Sequence, residues 1–149
     1  MNSHEIRWNL NNYWQNKDKI KQLTDEIEEL ITNDGVGCQH LTDMPVGSRK
    51  HGSVVDKLVD KVDYIRGLES ELERLVRVNN AITQIYATLN EINITILELR
   101  YFLTSEPMDV RQRKYNWNQI AELLNYSEDG VRKMDQKIVL KIQNKLLST

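Results

Sequence analysis

Apolar residues recur at helical spacing along most of this chain, and the places where the spacing fails divide it into segments. Leu10, Trp14, Ile20, Leu23, Ile27 and Leu30 fall mostly on steps of three and four, which predicts one amphipathic helix from about His4 to Ile31. Asn33-Asp34-Gly35 then offers residues that tolerate a left-handed backbone, and Gly35, Gly37, Pro45, Gly47 and Gly52 follow. This reads as a flexible loop at 33–52 that also carries Arg49, Lys50 and His51. Ser53, with Asp56 three places on, suits the cap of the next helix.

Val55, Leu58, Val62, Ile65, Leu72, Leu75, Ile82, Tyr86 and Leu89 repeat over about 35 residues, or roughly 50 Å of helix at 1.5 Å per residue. A helix longer than a small domain is wide needs a partner along its length. The first helix, folded back as an antiparallel hairpin or coiled coil, covers about half of it. The rest predicts a second chain and therefore a homo-oligomer, a dimer first of all. Asn79 falls on the inward side or at its edge, where it sets the register of pairing or faces water. Asn90 and Asn93 mark a break, Ile96 to Phe102 a short helix, and residues 104–114, with Pro107, Arg111, Arg113 and Lys114, a surface loop.

The last third repeats on a shorter scale. Trp117, Ile120, Ala121 and Leu124 mark the inner face of a helix from about Asn116 to Leu124, and Ala121 is small enough for another helix to cross closely. Asn125 and Tyr126 make a turn. Ser127 caps a second helix whose buried stripe is Val131, Met134, Ile138, Ile142 and Leu146, with Glu128 and Asp129 placed favourably at its positive end. The expected fold is all-α, with a helical hairpin and oligomerisation region at 1–90 and a helix-turn-helix domain at 91–149.

Composition narrows the classes. With 40% hydrophobic and 28% charged residues, six Gly and two Pro in 149 residues, the chain suits a soluble, mostly helical protein. No apolar run is long enough for a membrane span, and Glu5, Arg7 and Asn9 stand where a secretory signal needs an apolar block, so a cytoplasmic protein without membrane partners is expected. Cys38 is alone, which excludes an internal disulfide. The net charge of −2 conceals an asymmetry: residues 1–110 hold 12 basic and 18 acidic side chains, residues 111–149 hold 8 and 4. Only the C-terminal end carries a field that attracts a polyanion.

The second C-terminal helix offers the matching chemistry. Ser127, Glu128, Asp129, Arg132, Lys133 and Gln136 are placed to meet base edges: Arg and Lys donate to guanine, Gln pairs with adenine, and a carboxylate accepts from the cytosine amino group. Arg111, Arg113, Lys114, Lys137, Lys141 and Lys145 are the candidates for phosphate contact, which sets affinity without reading sequence. A three-helix core with an ordinary charged surface, as in protein-binding modules, has the same pattern.

Ile96-Leu97-Glu98-Leu99-Arg100-Tyr101-Phe102, followed by Trp117, Ile120-Ala121, Leu124, Tyr126-Ser127, Val131 and Leu140, resembles the region-four helix-turn-helix of bacterial sigma factors. It also resembles the version in phage and prophage regulators of the ArpU and RinA type. The short charged first helix, Met44-Pro45-Val46-Gly47 in a Gly-rich loop and the Ser/Asp-led long helix extend that second likeness over nearly the whole chain. The resemblance implies a regulator that binds double-stranded DNA at a promoter, activates late phage genes and meets RNA polymerase there. The connector from Phe102 to Trp117 is longer and more basic than the sigma-like module has.

Other classes fit less well. His4, His40 and His51 lie away from paired carboxylates, and there is no phosphate-cradling glycine loop or activated nucleophile, so no enzyme, cofactor or metal is expected. A His40, Asp43 and His51 set matches no ligand spacing. The rivals are a small terminase-like DNA-packaging subunit, which predicts a ring of many subunits, and a helical protein-protein interaction module, which predicts no salt-dependent binding to duplex DNA.

Overall fold

The computed structural model describes residues 1–42, 51–102 and 115–148, with side chains at 1–32, 55–102 and 115–148. All its regular elements are helical: α1 (Ser3–Asn11), α2 (Tyr13–Thr42), α3 (His51–Thr88), α4 (Glu91–Leu97), a π-helical turn (Glu98–Phe102), α5 (Trp117–Leu124) and α6 (Glu128–Ser148). None is long and apolar enough to cross a membrane, among the described residues.

The expected helix at 4–31 is two helices. Asn2 caps α1 in a box with Glu5, its Oδ1 accepting from the Glu5 N–H at 2.8 Å while the Glu5 carboxylate accepts from the Asn2 N–H at 3.0 Å. Asn12 ends α1 with φ −108° and ψ 21°, and its side-chain amide donates to the Trp8 carbonyl at 2.8 Å, taking a share of an acceptor the helix uses. A buried pair spans the break: Asn16 donates to the Asn9 Oδ1 at 3.0 Å, and Asn9 donates to the Glu5 carbonyl at 2.8 Å.

The loop expected at 33–52 is also corrected. Helix α2 continues through Asn33, Asp34, Gly35 and Gly37 to Thr42, and α3 begins at His51, ahead of the expected Ser53 cap. Glycine inside a helix costs only about 1 kcal/mol against alanine, which a long helix absorbs without ending. Residues 43–50, with Met44-Pro45, and the stretch expected as a surface loop, with Arg111, Arg113 and Lys114, lie outside the described residues. The break near residue 90 is present: α3 ends at Thr88, and Asn90 Oδ1 accepts from the Asn93 N–H at 2.9 Å to start α4.

The chain forms two compact units, dividing at 18/19 and 74/75 rather than at residue 90. Unit 1 holds residues 1–18 and 75–149. Its main core joins Ile6 and Leu10 of α1 to Val78 and Ile82 of α3, to Leu97 and Tyr101, and to Ile138 and Ile142 of α6. The C-terminal segment closes its core only with the chain's first helix, whose fully buried Ile6 and Leu10 would otherwise face water. A second cluster of Ile96, Ile120, Ala121 and Val131 joins α5 to α4 and α6. Asn79, 7% exposed, faces inward, and its amide donates to the Tyr13 carbonyl at 3.4 Å.

Unit 2 holds residues 19–74. Lys19 pairs with Glu71 at 2.6 Å, and the Tyr64 hydroxyl donates to Glu26 at 2.9 Å, so the two helical stretches run in opposite directions. Leu23, Ile27 and Ile65 are its buried apolar residues among those described.

Candidate nucleic-acid interface

Three residues join α5 to α6, and each has a defined task. Asn116 caps α5 by accepting from the Gln119 N–H at 2.8 Å, with the Gln119 side chain returning the bond to the Asn116 N–H at 3.0 Å. At the far end Asn125 takes the left-handed conformation, φ 59° and ψ 38°, which asparagine tolerates better than most residues. The following N–H, of Tyr126, then bonds back to the Ala121 carbonyl at 3.0 Å. Ser127 Oγ accepts from the Gly130 N–H at 3.0 Å, and the Ser127 carbonyl accepts from Val131, starting α6 as its chemistry predicted.

Ala121 is 4% exposed and Val131 fully buried where α5 packs on α6. The buried stripe of α6 is Val131, Ile138, Ile142 and Leu146, as the spacing predicted, with Val139 and Asp135 added and Met134 only half-buried. Ser127, Glu128, Asp129, Arg132, Lys133, Gln136, Lys137 and Lys141 are exposed, and Lys145 is half-buried. The six residues expected to meet bases thus share the solvent side of the turn and of the start of α6. Arg132 Nη2 donates to Glu128 at 2.8 Å, an exposed pair one helical turn apart. Such pairs contribute about 0.3–0.5 kcal/mol, so a competing base or phosphate displaces this one readily.

Asp135 lies between the exposed Arg132, Lys133, Gln136 and Lys137 in the sequence but does not share their surface. It is 1% exposed. Its Oδ1 accepts from the Tyr101 hydroxyl at 2.8 Å, and its Oδ2 accepts from Arg7 Nε at 3.3 Å and Nη2 at 3.2 Å. The carboxylate therefore fixes the rotation of α6 about its axis against α1 and the π-helical turn. Burial pushes its pKa above the usual carboxylate value, while the Tyr101 hydrogen bond and the Arg7 charge oppose that shift without cancelling it. The Tyr101 hydroxyl is held well above the usual tyrosine range, by burial first and then by the adjacent Asp135 charge.

Arg100 went unnoticed in the sequence. Its guanidinium lies 4.4 Å from the Trp117 ring centroid, and its Nη1 donates to the Tyr115 carbonyl at 3.1 Å, tying the π-helical turn to the start of α5. Its place in a continuous helical run gave no sign of a partner 17 positions on. The chain matches no protein-family model, no curated protein and no solved structure.

Proposed function

We propose that this protein binds duplex DNA through α6, with α5, the Asn125 to Ser127 turn and α6 acting as a helix-turn-helix. The observation that carries this reading is the two-sidedness of α6: one side closes the core, while Glu128, Asp129, Arg132, Lys133 and Gln136 face solvent just after a capped turn. A helix with side chains about 10–12 Å across enters a major groove about 12 Å wide, and these side chains carry donors and acceptors for base edges. The acidic members repel phosphates wherever the docking is wrong, which favours sequence-specific reading over general coating. The likeness to phage and prophage regulators extends the proposal to activation of transcription beside RNA polymerase.

A mobility-shift titration against sites selected from fragmented genomic DNA tests it. Arg132→Glu and Lys133→Glu abolish specific binding while leaving helical content intact; unchanged binding rejects this reading face. Lys141→Ala weakens binding about equally on all sequences and lowers the salt-dependence slope by about 0.9.

The same proposal includes pairing with a second copy. Val55, Leu58, Val59 and Val62, at helical spacing on α3, are 57, 37, 52 and 44% exposed, an apolar stripe whose cover stabilises both partners. Sedimentation equilibrium is expected to give a dimer for the native chain and a monomer for Leu58→Glu. A native monomer at all concentrations sinks the pairing.

A further inference from the structure

Beside the solvent face of α6 lies an open cavity of about 350 Å³, lined among others by Arg7, Arg100, Trp117, Arg132, Asp135 and Gln136. That volume is near the lower end of the range for small-ligand sites. Three guanidinium groups from three different elements converge on it, and no local sequence pattern brings them together. Asp135 is the one acidic side chain in the lining. Both its oxygens already accept hydrogen bonds, and it is 1% exposed, so it presents almost no surface to an incoming anion. The lining keeps an excess of two positive charges.

Each guanidinium has five N–H donors and spends few of them. Arg7 gives Nε and Nη2 to Asp135, Arg100 gives Nη1 to the Tyr115 carbonyl, and Arg132 gives Nη2 to Glu128. These bonds also hold two of the groups in place before any ligand arrives. Arg7 is anchored on a buried carboxylate, and Arg100 is stacked on Trp117. Preorganised arginine forks match a tetrahedral oxyanion better than flexible lysines do, because little rotamer freedom remains to be lost. The Gln136 amide adds a neutral donor at the rim.

We propose that this cavity binds one phosphate group, using Arg100 and Arg132 as direct donors and Arg7 as a charge held in position by Asp135. The proposal does not rest on the DNA reading: the phosphate belongs either to a duplex backbone lying along α6 or to a small phosphorylated molecule. Because the cavity adjoins the proposed reading face through Arg132 and Gln136, the backbone phosphate is the favoured source, and Arg132 then serves the phosphate while Lys133 and Gln136 are left to the bases.

The test follows arginine side-chain N–H resonances of the isotopically labelled full chain while inorganic phosphate replaces chloride at constant ionic strength. Arg100 and Arg132 are expected to shift and saturate together, while Arg66 and Arg74 of unit 2 stay still. Arg100→Gln, and independently the more exposed Arg132→Gln, weaken phosphate binding at least about tenfold, the loss of one charge-assisted hydrogen bond. Linear, unsaturating shifts spread over all arginines overturn the proposal, as does unaltered affinity in both variants. A second arm separates the sources. With duplex DNA, Arg100→Gln lowers the salt-dependence slope by about 0.9 where a backbone phosphate is the occupant, and leaves it unchanged where a small molecule is. Should the native chain bind no duplex, the DNA reading fails while the phosphate titration still decides the cavity.

Discussion

In unit 1, Ile6, Leu10, Ile96, Leu97, Ile120 and Ile142 are 0% exposed, whereas the most buried apolar side chains described in unit 2, Leu23, Ile27 and Ile65, keep 6, 7 and 9%. The difference follows from geometry. Two antiparallel helical stretches meet along a single seam, and any apolar residue beside that seam stays half wet. Where α1, α6 and the helices around Leu89 to Phe102 surround a volume from several sides, a side chain is covered all round. Unit 2 illustrates the shortfall: Val55, Leu58, Val59 and Val62 have helical spacing but only water for a neighbour on much of their surface. Amphipathic periodicity is thus necessary for a core but does not close one.

The sharpest way to break this comparison is to remove the same atoms from both units. Ile142→Ala is expected to cost about 4 kcal/mol, because its fully enclosed site cannot collapse, and Ile65→Ala about 2 kcal/mol, because its site opens to solvent and relaxes. Urea denaturation gives the totals, and amide exchange shows which unit each one loosens. Equal costs would mean that unit 2 is enclosed more completely than its exposed stripe suggests.

Unit 1 also contains the buried charge. Asp135→Ala leaves the Tyr101 hydroxyl and Arg7 without their acceptor and is expected to cost about 3 kcal/mol; Asp135→Asn, which keeps an acceptor for Tyr101, costs less. The pH dependence has a definite sign. Burial raises the carboxyl pKa in the folded chain, so the folded state holds this proton to higher pH than the unfolded state does. Its contribution is complete below the unfolded value and is lost as pH rises through the raised one. As pH rises from the ordinary carboxylate range through the raised value, the native chain therefore loses stability relative to Asp135→Asn. A difference that grows in the opposite direction would show that Arg7 and Tyr101 outweigh desolvation.

Next in size is crowding. Ala121→Leu forces α5 and α6 apart at a site only 4% exposed, for about 1–3 kcal/mol, while Leu58→Gln on the wet stripe of unit 2 stays within about 0.5 kcal/mol in the monomeric chain. Thermal denaturation in dilute solution separates the two.

The same contrast explains what the sequence disclosed. Local signals were legible: the Ser127 cap, the Asn125 turn, the buried stripe of α6 and the break ahead of Asn90 each depend on residues within a turn of one another. The burial of Asp135 was not legible, because its partner Arg7 is 128 positions away and no spacing rule connects them. An aspartate amid Arg132, Lys133 and Lys137 resembles any exposed carboxylate until α1 is laid across it. The continuation of α2 past Gly35 was hidden for the opposite reason, since strong local breakers were given more weight than an uninterrupted helix allows them. Arg7, Arg100 and Arg132 lie far apart along the chain, so their cavity becomes visible only once the helices are packed.

The smallest expected effects come from one substitution made in both units. An added Cβ at Gly67, in α3, meets nothing within 4 Å, so Gly67→Ala brings only the gain in helix propensity, a stabilisation of about 0.5–1 kcal/mol. At Gly130 the same Cβ sits 3.0 Å from Ser127 Oγ, the atom that accepts from the Gly130 N–H and starts α6. Displacing that hydroxyl weakens a cap worth about 1 kcal/mol, which offsets the propensity gain and leaves Gly130→Ala neutral to slightly destabilising. A double-mutant cycle isolates the cause. In a Ser127→Ala background, where the cap is already gone and no Oγ stands in the way, Gly130→Ala should recover the full stabilisation seen at Gly67. Equal effects of Gly130→Ala with and without Ser127 would mean that the hydroxyl swings aside without loss, and that the start of α6 tolerates more bulk than the turn geometry indicates.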